Sequence, residues 1–436
     1  MKEKMIPVCR TLLSDLKSIG HHRSPGQVIV QITDRCNAMC PHCGMRISNP
    51  FRRSRLSNDQ IKKIIDAAAA NGVAALSFTG GEPLLCLDDL TELIQYAGHS
   101  GIRFIRTGTN GFFMRINGSN IDRFKSRVTE TIEKLASTPL RNFWISMDSS
   151  VPEVHEAMRG LPGVIGGIEK AIPIFHAHGL YPSVNLGVNR NIGGRFTSEL
   201  DPREFPCETD YLEAFYNRYR EAMRQFYKRV INMGFTIANT CYPMSIDTSE
   251  KDTNAVYAAT ATDRIVRFTQ AEKAVLFKVL MDSVTEFRSK IRIFSPLTSL
   301  FNLHRQYSSD HGNGHTPSRC LGGIDYFFID ANKGNAFPCG YRGNEDMGKY
   351  WDLNLKRIDL NTHCKRCDWE CFRDPSEQIA PLLQLFSSPL HLIKQVITDR
   401  TYFRFWMNDL RYYRLCQFFD GRKKPNMSKL AFYTQK

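Results

Sequence analysis

From Gln27 onward, short apolar runs rich in β-branched residues alternate with longer stretches of helical periodicity. VIVQI at 28–32, ALSFTG at 75–80, RFIRTGTN at 103–110, FWISMD at 143–148, PSVNLGV at 182–188 and FTIANTC at 235–241 read as six strands. Between them, DQIKKIIDAAAA at 59–70, GVIGGIEKAIPIFHAHG at 163–179 and DYLEAFYNRYREAMRQFYKRVINMG at 210–234 read as covering helices. Strand and helix in this rhythm predict an α/β fold with a parallel sheet, either doubly wound or part of a barrel. A helical preamble with Leu12, Leu13 and Leu16 precedes the first strand. A further helix is expected over 268–289, after a polar linker at 247–263.

In parallel α/β folds the chemistry gathers at the carboxyl ends of the strands. Polar residues collect there in this chain. Asp34 and three cysteines follow the first strand, Thr79 to Glu82 the second, and Asn110 and Gly111 the third. Ser146, Asp148 and Ser149 end the fourth, Asn189 and Arg190 the fifth, and Cys241 and Tyr242 the sixth. Loops are polar wherever they are solvated, which accounts for some of these positions. It does not account for Gly80-Gly81-Glu82-Pro83, where two glycines admit a close backbone approach and a carboxylate addresses a cation.

Cys36, Cys40 and Cys43 lie within eight residues, so their thiolates can converge on one metal centre. Thiolates select zinc, copper(I) or iron–sulfur clusters, and an open fourth position suits a catalytic centre. A closed zinc site needs a fourth ligand. His42 stands between two of the cysteines and would reach the same metal from an awkward direction.

Composition narrows the setting. With 436 residues, 42% hydrophobic and 23% charged, the chain is long enough for two or three globular domains. The 13 cysteines are odd in number and mostly clustered, which points to metal binding in a reducing compartment rather than to disulfides. Neither an export signal nor a membrane span is legible, so a cytoplasmic location is expected. The net charge of +14 favours anionic partners without choosing among them.

CNAMCPHC at 36–43 resembles the CxxxCxxC loop of radical S-adenosylmethionine (radical SAM) enzymes, with the aromatic His42 before the third cysteine. GGEP at 80–83, TNG at 109–111, ISMDSS at 145–150 and VHEAMRG at 154–160 are similar to that family's other elements, in the same order. The resemblance covers about residues 27–245. It implies a partial (βα)6 TIM-type barrel and a 4Fe-4S cluster on Cys36, Cys40 and Cys43, with one iron open to S-adenosylmethionine. Reductive cleavage of that cofactor would give a 5′-deoxyadenosyl radical that abstracts hydrogen from substrate. The electron would come from a donor such as flavodoxin or ferredoxin. By motif position, Glu82 would accept from the cofactor's ammonium, with His42, Gly80, Gly81 and Asn110 beside it. Ser146, Asp148 and Asn189 are candidates for ribose or carboxylate contacts, and Arg190 for pairing the carboxylate.

A second cysteine set, Cys320, Cys339, Cys364, Cys367 and Cys371, resembles the SPASM and twitch extensions that carry auxiliary iron–sulfur clusters. YFFID, the turn ANKGN and AF fit the small hairpin of such a domain. Five cysteines fall short of the full seven-cysteine pattern. One auxiliary 4Fe-4S cluster on four of the five is therefore expected, with a zinc ribbon as the alternative and the choice between Cys364 and Cys371 open. Gly340 stands where sulfatase-maturating relatives have aspartate, which disfavours that oxidation.

The domains read as a helical segment at 1–26, a core barrel at 27–245, a linker and helical connection at 246–315, the cysteine-rich domain at 316–375, and a basic aromatic tail at 376–436. The tail has ten Lys or Arg against four Asp or Glu, and Phe403, Trp406, Leu410 and Tyr413 recur at helical spacing. Packing at home is the simplest reading. An anionic surface, either a membrane contacted peripherally or nucleic acid, is the sharper one. Of the remaining cysteines, Cys241 is a weak candidate for a hydrogen donor or thiyl site. The expected substrate is a peptide or peptide side chain, and the alternative is dehydrogenation or rearrangement of a small sugar-like or lipid-linked molecule. A non-catalytic zinc protein associated with nucleic acid is the competing class.

Overall fold

A computed structural model of the chain describes residues 18–46, 51–116, 118, 120–243, 264–308, 318–358, 364 and 369–433. The predicted preamble before residue 18, the 247–263 linker and Cys367 lie outside the described residues. The six predicted strands are present as β1 (Gln27–Thr33), β2 (Ala75–Gly80), β3 (Phe104–Thr109), β4 (Leu140–Met147), β5 (Ser183–Gly187) and β6 (Ile237–Cys241). They pair in parallel in chain order. Helices α1 (Asn58–Ala70), α2 (Leu87–His99), α3 (Ile121–Ala136), α4 (Pro152–Arg159), α5 (Val164–Ala177) and α6 (Glu208–Asn232) connect them.

Alternation along each strand divides the sheet into two faces. On β4, Phe143, Ile145 and Met147 are buried in the main core, while Asn142, Trp144 and Ser146 are half-buried on the other face. On β3, Ile105 and Thr107 are buried and Arg106 is half-buried. The helices cover the apolar face, so the polar face lines the inside of an open barrel. α1 starts where it does because Ser57 and Gln60 form a reciprocal capping box.

The sheet has nine strands, ordered β7-β6-β5-β4-β3-β2-β1-β8-β9. β7 (Arg292–Ile293) extends it in parallel from β6. β8 (Tyr326–Ile329) and β9 (Ala336–Phe337) form the predicted hairpin, and β8 pairs in parallel with β1 from Gln27↔Tyr326 to Val30↔Ile329. The cysteine-rich segment therefore continues the barrel sheet, and the boundaries drawn at 245 and 316 are not edges of it. β1 is buried along its whole length because it is an interior strand with a neighbour on each side.

The segment expected as a linker and helical connection contributes α7 (Gln270–Phe287) and α8 (Leu297–Tyr307), which pack on each other. After the cysteine-rich segment come α9 (Glu370–Ser387), α10 (Pro389–Thr398) and α11 (Arg400–Leu415). In α11, Tyr402, Trp406, Asp409 and Tyr412 are buried against the body, so the aromatic stripe packs at home, rotated by about one residue from the predicted face. Exposed apolar side chains gather instead near α10, where Leu390, Ile393 and Ile397 are more than half exposed. No helix among the described residues is long and apolar enough to cross a membrane.

Arg288 and Asp409, 1% and 0% exposed, form a buried ion pair at 2.6 Å. Asp409 also accepts from the Thr298 N–H at 2.8 Å and the Thr298 hydroxyl at 2.6 Å, at the N-terminus of α8. This carboxylate joins α11 to α8, and its removal strands a buried guanidinium. Asp409→Ala is expected to lower unfolding stability by about 3–5 kcal/mol in a urea titration, and Arg288→Met/Asp409→Leu by much less. Equal losses in both variants would count against the ion pair as the joint.

Candidate active site

The cysteine loop leaves β1 and is held by backbone bonds at both flanks. The Met39 N–H donates to the Arg159 carbonyl at the end of α4 at 2.9 Å. On the other flank, Arg53 donates to the carbonyls of Asp34, Met45 and Arg46 at 2.9, 3.1 and 2.7 Å. The Asp34 carboxylate accepts from the Ser54 N–H at 2.5 Å. Within the loop the Ala38 N–H points to the Cys36 sulfur and the Met45 N–H to the Cys43 sulfur, each at 3.4 Å.

GGEP meets this loop edge to edge. The Gly81 N–H donates to the Thr33 carbonyl at 2.8 Å and the Glu82 N–H to the Arg35 carbonyl at 2.9 Å. A Cβ on Gly80 would lie 2.3 Å from the Thr33 oxygen, and one on Gly81 2.1 Å from the Arg35 oxygen. The two glycines were expected to admit a ligand. In the structure the backbone that approaches them is that of the cysteine loop itself.

Glu82 is 1% exposed. Its carboxylate accepts from the Asn110 N–H at 2.7 Å, the Thr109 hydroxyl at 2.9 Å and the Leu84 N–H at 3.1 Å. Burial pushes its pKa up to about 7 despite those donors. Asn110 reaches across to the loop, donating to Asn37 Oδ1 at 2.9 Å with Cys36 Sγ at 3.9 Å.

The residue that the motif reading passed over is Arg159. Its Nε and Nη2 grip Asp148 Oδ2 and Oδ1 at 2.8 and 2.9 Å. Burial works against the Arg159 charge, but Asp148, Cys40 and Cys43 hold it on. Burial likewise works to raise the Asp148 carboxyl, and Arg159, with His42 and His155 behind it, holds it at about 2. Burial lifts the Cys36 thiol to about 11 and the Cys40 thiol to about 12, and raises Cys43. Arg159 opposes the rise at all three sulfurs. A guanidinium this close to three thiols offsets the charge that they carry as thiolates. Arg159 stood inside the quoted VHEAMRG, and its position as the last helical residue before Gly160 was the available signal.

The strand-end candidates fare differently. Asp148 is occupied by Arg159. Both Nδ2 hydrogens of Asn189 go to the carbonyls of Asp148 and Gly187 at 2.8 and 2.7 Å, and its Oδ1 accepts from the Asn191 N–H at 2.8 Å. Asn189 is thus a brace for the rim. Ser146 stays half-buried on the inner face. Arg190 corrects the expectation that it pairs a cofactor carboxylate. It donates to Glu272 at 2.7 Å and to the Arg267 carbonyl at 2.9 Å. Glu272 is 3% exposed, and a carboxylate that deep needs its cation.

The second cysteine set divides. Cys320, Cys339 and Cys364 line one cavity, walled by Arg342, Trp369 and Phe372. Burial and one another's charge raise Cys320 to about 11 and Cys339 to about 12. The Gly322 N–H points to the Cys320 sulfur and the Tyr341 N–H to the Cys339 sulfur, each at 3.4 Å, as in the first set. Cys371 stands apart. It lies in the first turn of α9, 3.5 Å from Glu370 Oε1, and burial and Glu370 raise its thiol. Cys241 shares Glu370 with it and lies 3.3 Å from Asn185 Oδ1. The structure thus separates Cys364 from Cys371, a choice the spacing left open.

Both trios meet a fit test for iron–sulfur clusters: three convergent thiols, amide N–H groups aimed at sulfur, and a dry apolar or cationic surround. Among the described residues no three His, Cys, Asp or Glu side chains form a single-ion site. A cleft of about 680 Å³ between α5 and α6, touching Glu169 and Arg229, holds none of the candidate residues.

The sequence profile of the radical SAM superfamily matches residues 30–191. The AdoMet-dependent heme synthase of Methanosarcina barkeri is 29% identical over 155 residues, covering 35% of this chain and 40% of the relative. The antilisterial bacteriocin subtilosin biosynthesis protein AlbA of Bacillus subtilis is 29% identical over 165 residues, covering 38% and 33%. The chain thus spans less than half the length of these curated relatives. The crystal structure of Streptococcus suis SuiB bound to S-adenosylmethionine superposes with a TM-score of 0.48 at 14% identity, over 80% of this chain and 69% of that one.

Two outcomes test the Arg159 centre. Arg159→Met is expected to cost about 3–5 kcal/mol in denaturant and to lower the iron retained after anaerobic reconstitution, with Arg159→Lys intermediate. Iron retention equal to wild type would exclude a role beside the thiols. His155 Nδ1 accepts from the Asp148 N–H at 3.1 Å, and burial lowers its pKa from 6.5 to about 4. The unfolded chain takes up this proton first, so stability is full above pH 6.5 and falls towards pH 4, by about 3 kcal/mol. His155→Asn, which keeps an acceptor near Nδ1, is expected to flatten that part of the stability profile. An unchanged slope would assign it to other groups.

Proposed function

We propose, from the match of residues 30–191 to the radical SAM superfamily, that this chain is an iron–sulfur enzyme that modifies a peptide or peptide side chain by hydrogen abstraction. The observation that carries the reading is that the loop bearing Cys36, Cys40 and Cys43 docks on Arg159 through Met39 and on the turn bearing the buried Glu82 through Arg35. When bound, the 4Fe-4S cluster and S-adenosylmethionine supply a 5′-deoxyadenosyl radical. The protein's part is to bind, orient and shield.

Cys36, Cys40 and Cys43 hold the cluster as thiolates, with Arg159 compensating their charge. The Ala38 and Met45 N–H groups donate to two of the sulfurs, which favours the thiolate and tunes the potential. Glu82 is fixed by three donors before any ligand arrives, and an ammonium beside it would return its raised pKa to the ordinary range. Gly80 and Gly81 fix the distance between that carboxylate and the cysteine loop. Asn110 ties the third strand end to the loop through Asn37.

Cys320, Cys339 and Cys364 are the proposed ligands of one auxiliary 4Fe-4S cluster, with Cys367 as the fourth. Electrons would enter from a flavodoxin or ferredoxin. Similarity to a bacteriocin biosynthesis protein supports the peptide substrate. Similarity to a heme synthase supports a small-molecule substrate as the second reading. The aromatic face of α11 is buried at home, so support for an anionic surface as partner moves to the exposed apolar residues of α10 and the basic charge around them.

Anaerobic reconstitution tests the proposal. The expected result is broad absorption near 400 nm, about eight irons per chain, and 5′-deoxyadenosine formed from S-adenosylmethionine with dithionite. About four irons would remove the auxiliary cluster. Uptake of zinc without iron, with no 5′-deoxyadenosine, would sink the enzyme reading, as would cofactor cleavage that persists in Cys40→Ala.

A further inference from the structure

On the inner face of the barrel, among the described residues, Arg106 is a cation that the proposed mechanism leaves unused. Arg106 lies on β3, in register with Ser77 on β2, and alternates with the buried Ile105 and Thr107. Its Nε donates to Ser77 Oγ at 3.0 Å. No carboxylate among the described residues lies within ion-pair distance of it. Among the described residues, most other deep arginines have a carboxylate or a set of carbonyls facing them. Arg159 has Asp148, Arg288 has Asp409, and Arg190 has Glu272. Arg292 and Arg422 lack a close carboxylate and donate to ring-fences of backbone carbonyls instead, those of Thr236, Asp420 and Lys423, and of Ala136, Thr138 and Leu140.

Arg106 faces the inside of the barrel among polar groups. The side chain keeps accessible surface although burial lowers its pKa, as expected for a group in the wall of an enclosed space. The wall is polar on the far side too. Asn239 Nδ2 donates to Asn185 Oδ1 at 2.8 Å, while the buried Oδ1 of Asn239 has no partner. The first turn of α9 bonds to both halves of the sheet. Gln27 at the start of β1 donates to the Cys371 carbonyl at 3.3 Å, and the Tyr242 N–H after β6 donates to Glu370 at 3.3 Å. Cys371, the thiol that the auxiliary trio leaves out, is the one charged or titratable neighbour felt by Arg106.

We propose that Arg106 anchors an oxyanion group of the substrate, a carboxylate or a phosphate, inside the barrel. An isolated guanidinium in such a wall is poorly solvated, and a bound oxyanion supplies both the missing charge and acceptors matched to its fork. The geometry also sets an orientation. Asn110, which reaches the cysteine loop, lies four residues further along the chain, just past the end of β3, about 13 Å away in an extended chain. A substrate held by its anionic end at Arg106 would run past the Trp144 indole, which packs on Gly108 between Arg106 and Asn110, to bring its other end to the rim. This inference rests on the radical SAM reading for the identity of the rim, but not for the anion site.

The test is thermal unfolding of the reconstituted protein with adipate, inorganic phosphate, neutral adipamide or sodium chloride at matched ionic strength. In wild type, adipate or phosphate is expected to raise the midpoint by about 1–2 °C at 10 mM, with no shift from adipamide or chloride. A response to adipate alone assigns a carboxylate, to phosphate alone a phosphate, and to both the oxyanion charge they share. Arg106→Gln is expected to lose the shift and, without anion, to unfold no lower than wild type, because an uncompensated charge has been removed. Arg106→Lys is expected to retain part of the shift. The inference is overturned if no anion shifts wild type, if the shift persists in Arg106→Gln, or if Arg106→Gln unfolds several degrees lower or does not fold, which would make the arginine structural. Failure of the radical SAM reading would appear separately, as absence of 5′-deoxyadenosine from wild type.

Discussion

The buried bond between Asp148 and Arg159 is the constraint on which the rim depends. Three thiols set in a dry loop have their pKa values pushed up by burial, and nothing in the loop itself supplies positive charge to oppose this. Arg159 supplies it, but a guanidinium buried beside protonated thiols would be as costly as an unpaired thiolate. Asp148 keeps the cation in place whatever the state of the sulfurs. The backbone of Asp148 is held as well, its N–H donating to His155 Nδ1 and its carbonyl accepting from Asn189 Nδ2. The ends of β4 and β5 and the end of α4 are thereby fixed to one charge pair. The cysteine loop then docks on the Arg159 carbonyl, so its position follows from that pair.

A second constraint operates through the sheet. β8 lies against β1, which places the auxiliary cysteines on a continuation of the strand that leads into the first cysteine loop. Asp325, at the foot of β8, is bound by Arg23 at 2.5 Å and by the Ser24 N–H at 2.8 Å. The chain just before β1 is thereby tied to β8, so the two cysteine sets are mechanically one unit. α9 then leaves the auxiliary trio and turns Glu370 and Cys371 towards Cys241 and Arg106. The C-terminal segment thus builds part of the chamber wall.

The inner and outer faces of the strands obey different physics. Outward residues such as Phe143, Ile145 and Val184 are buried against helices and contribute transfer free energy. On β2 to β6 the inward residues include Ser77, Arg106, Trp144, Asn185 and Asn239, which leave hydrogen-bonding capacity open, whereas Ile29 of β1 and Phe328 of β8 pack with Trp369 and Phe372 in a second apolar core. Gly108 allows Trp144 to lie across the chamber, since a Cβ there would be 2.2 Å from the indole. A polar lumen with an unpaired cation is unfavourable for stability alone and is consistent with a wall shaped for a ligand.

The sequence by itself determined the six strands, the parallel α/β class and the first cysteine loop, because these rest on local periodicity and on spacing within a few residues. Glu82 was legible too, since GGEP names it directly. Arg159, Arg106 and the fate of Arg190 were not. Each was in view in the chain, but its role depends on what faces it: Asp148 for Arg159, Glu272 for Arg190 and, among the described residues, no carboxylate for Arg106. Spacing could not separate Cys364 from Cys371, seven residues apart in one cysteine-rich run. Only the tertiary structure could, because α9 begins between them and turns the second thiol into the barrel. Pairing of β8 with β1 likewise joins residues about 300 positions apart, and a contact of that range leaves no trace in local pattern. Chemistry that lies along the chain was readable from the chain, and chemistry that depends on which charges meet across the barrel was decided by the fold.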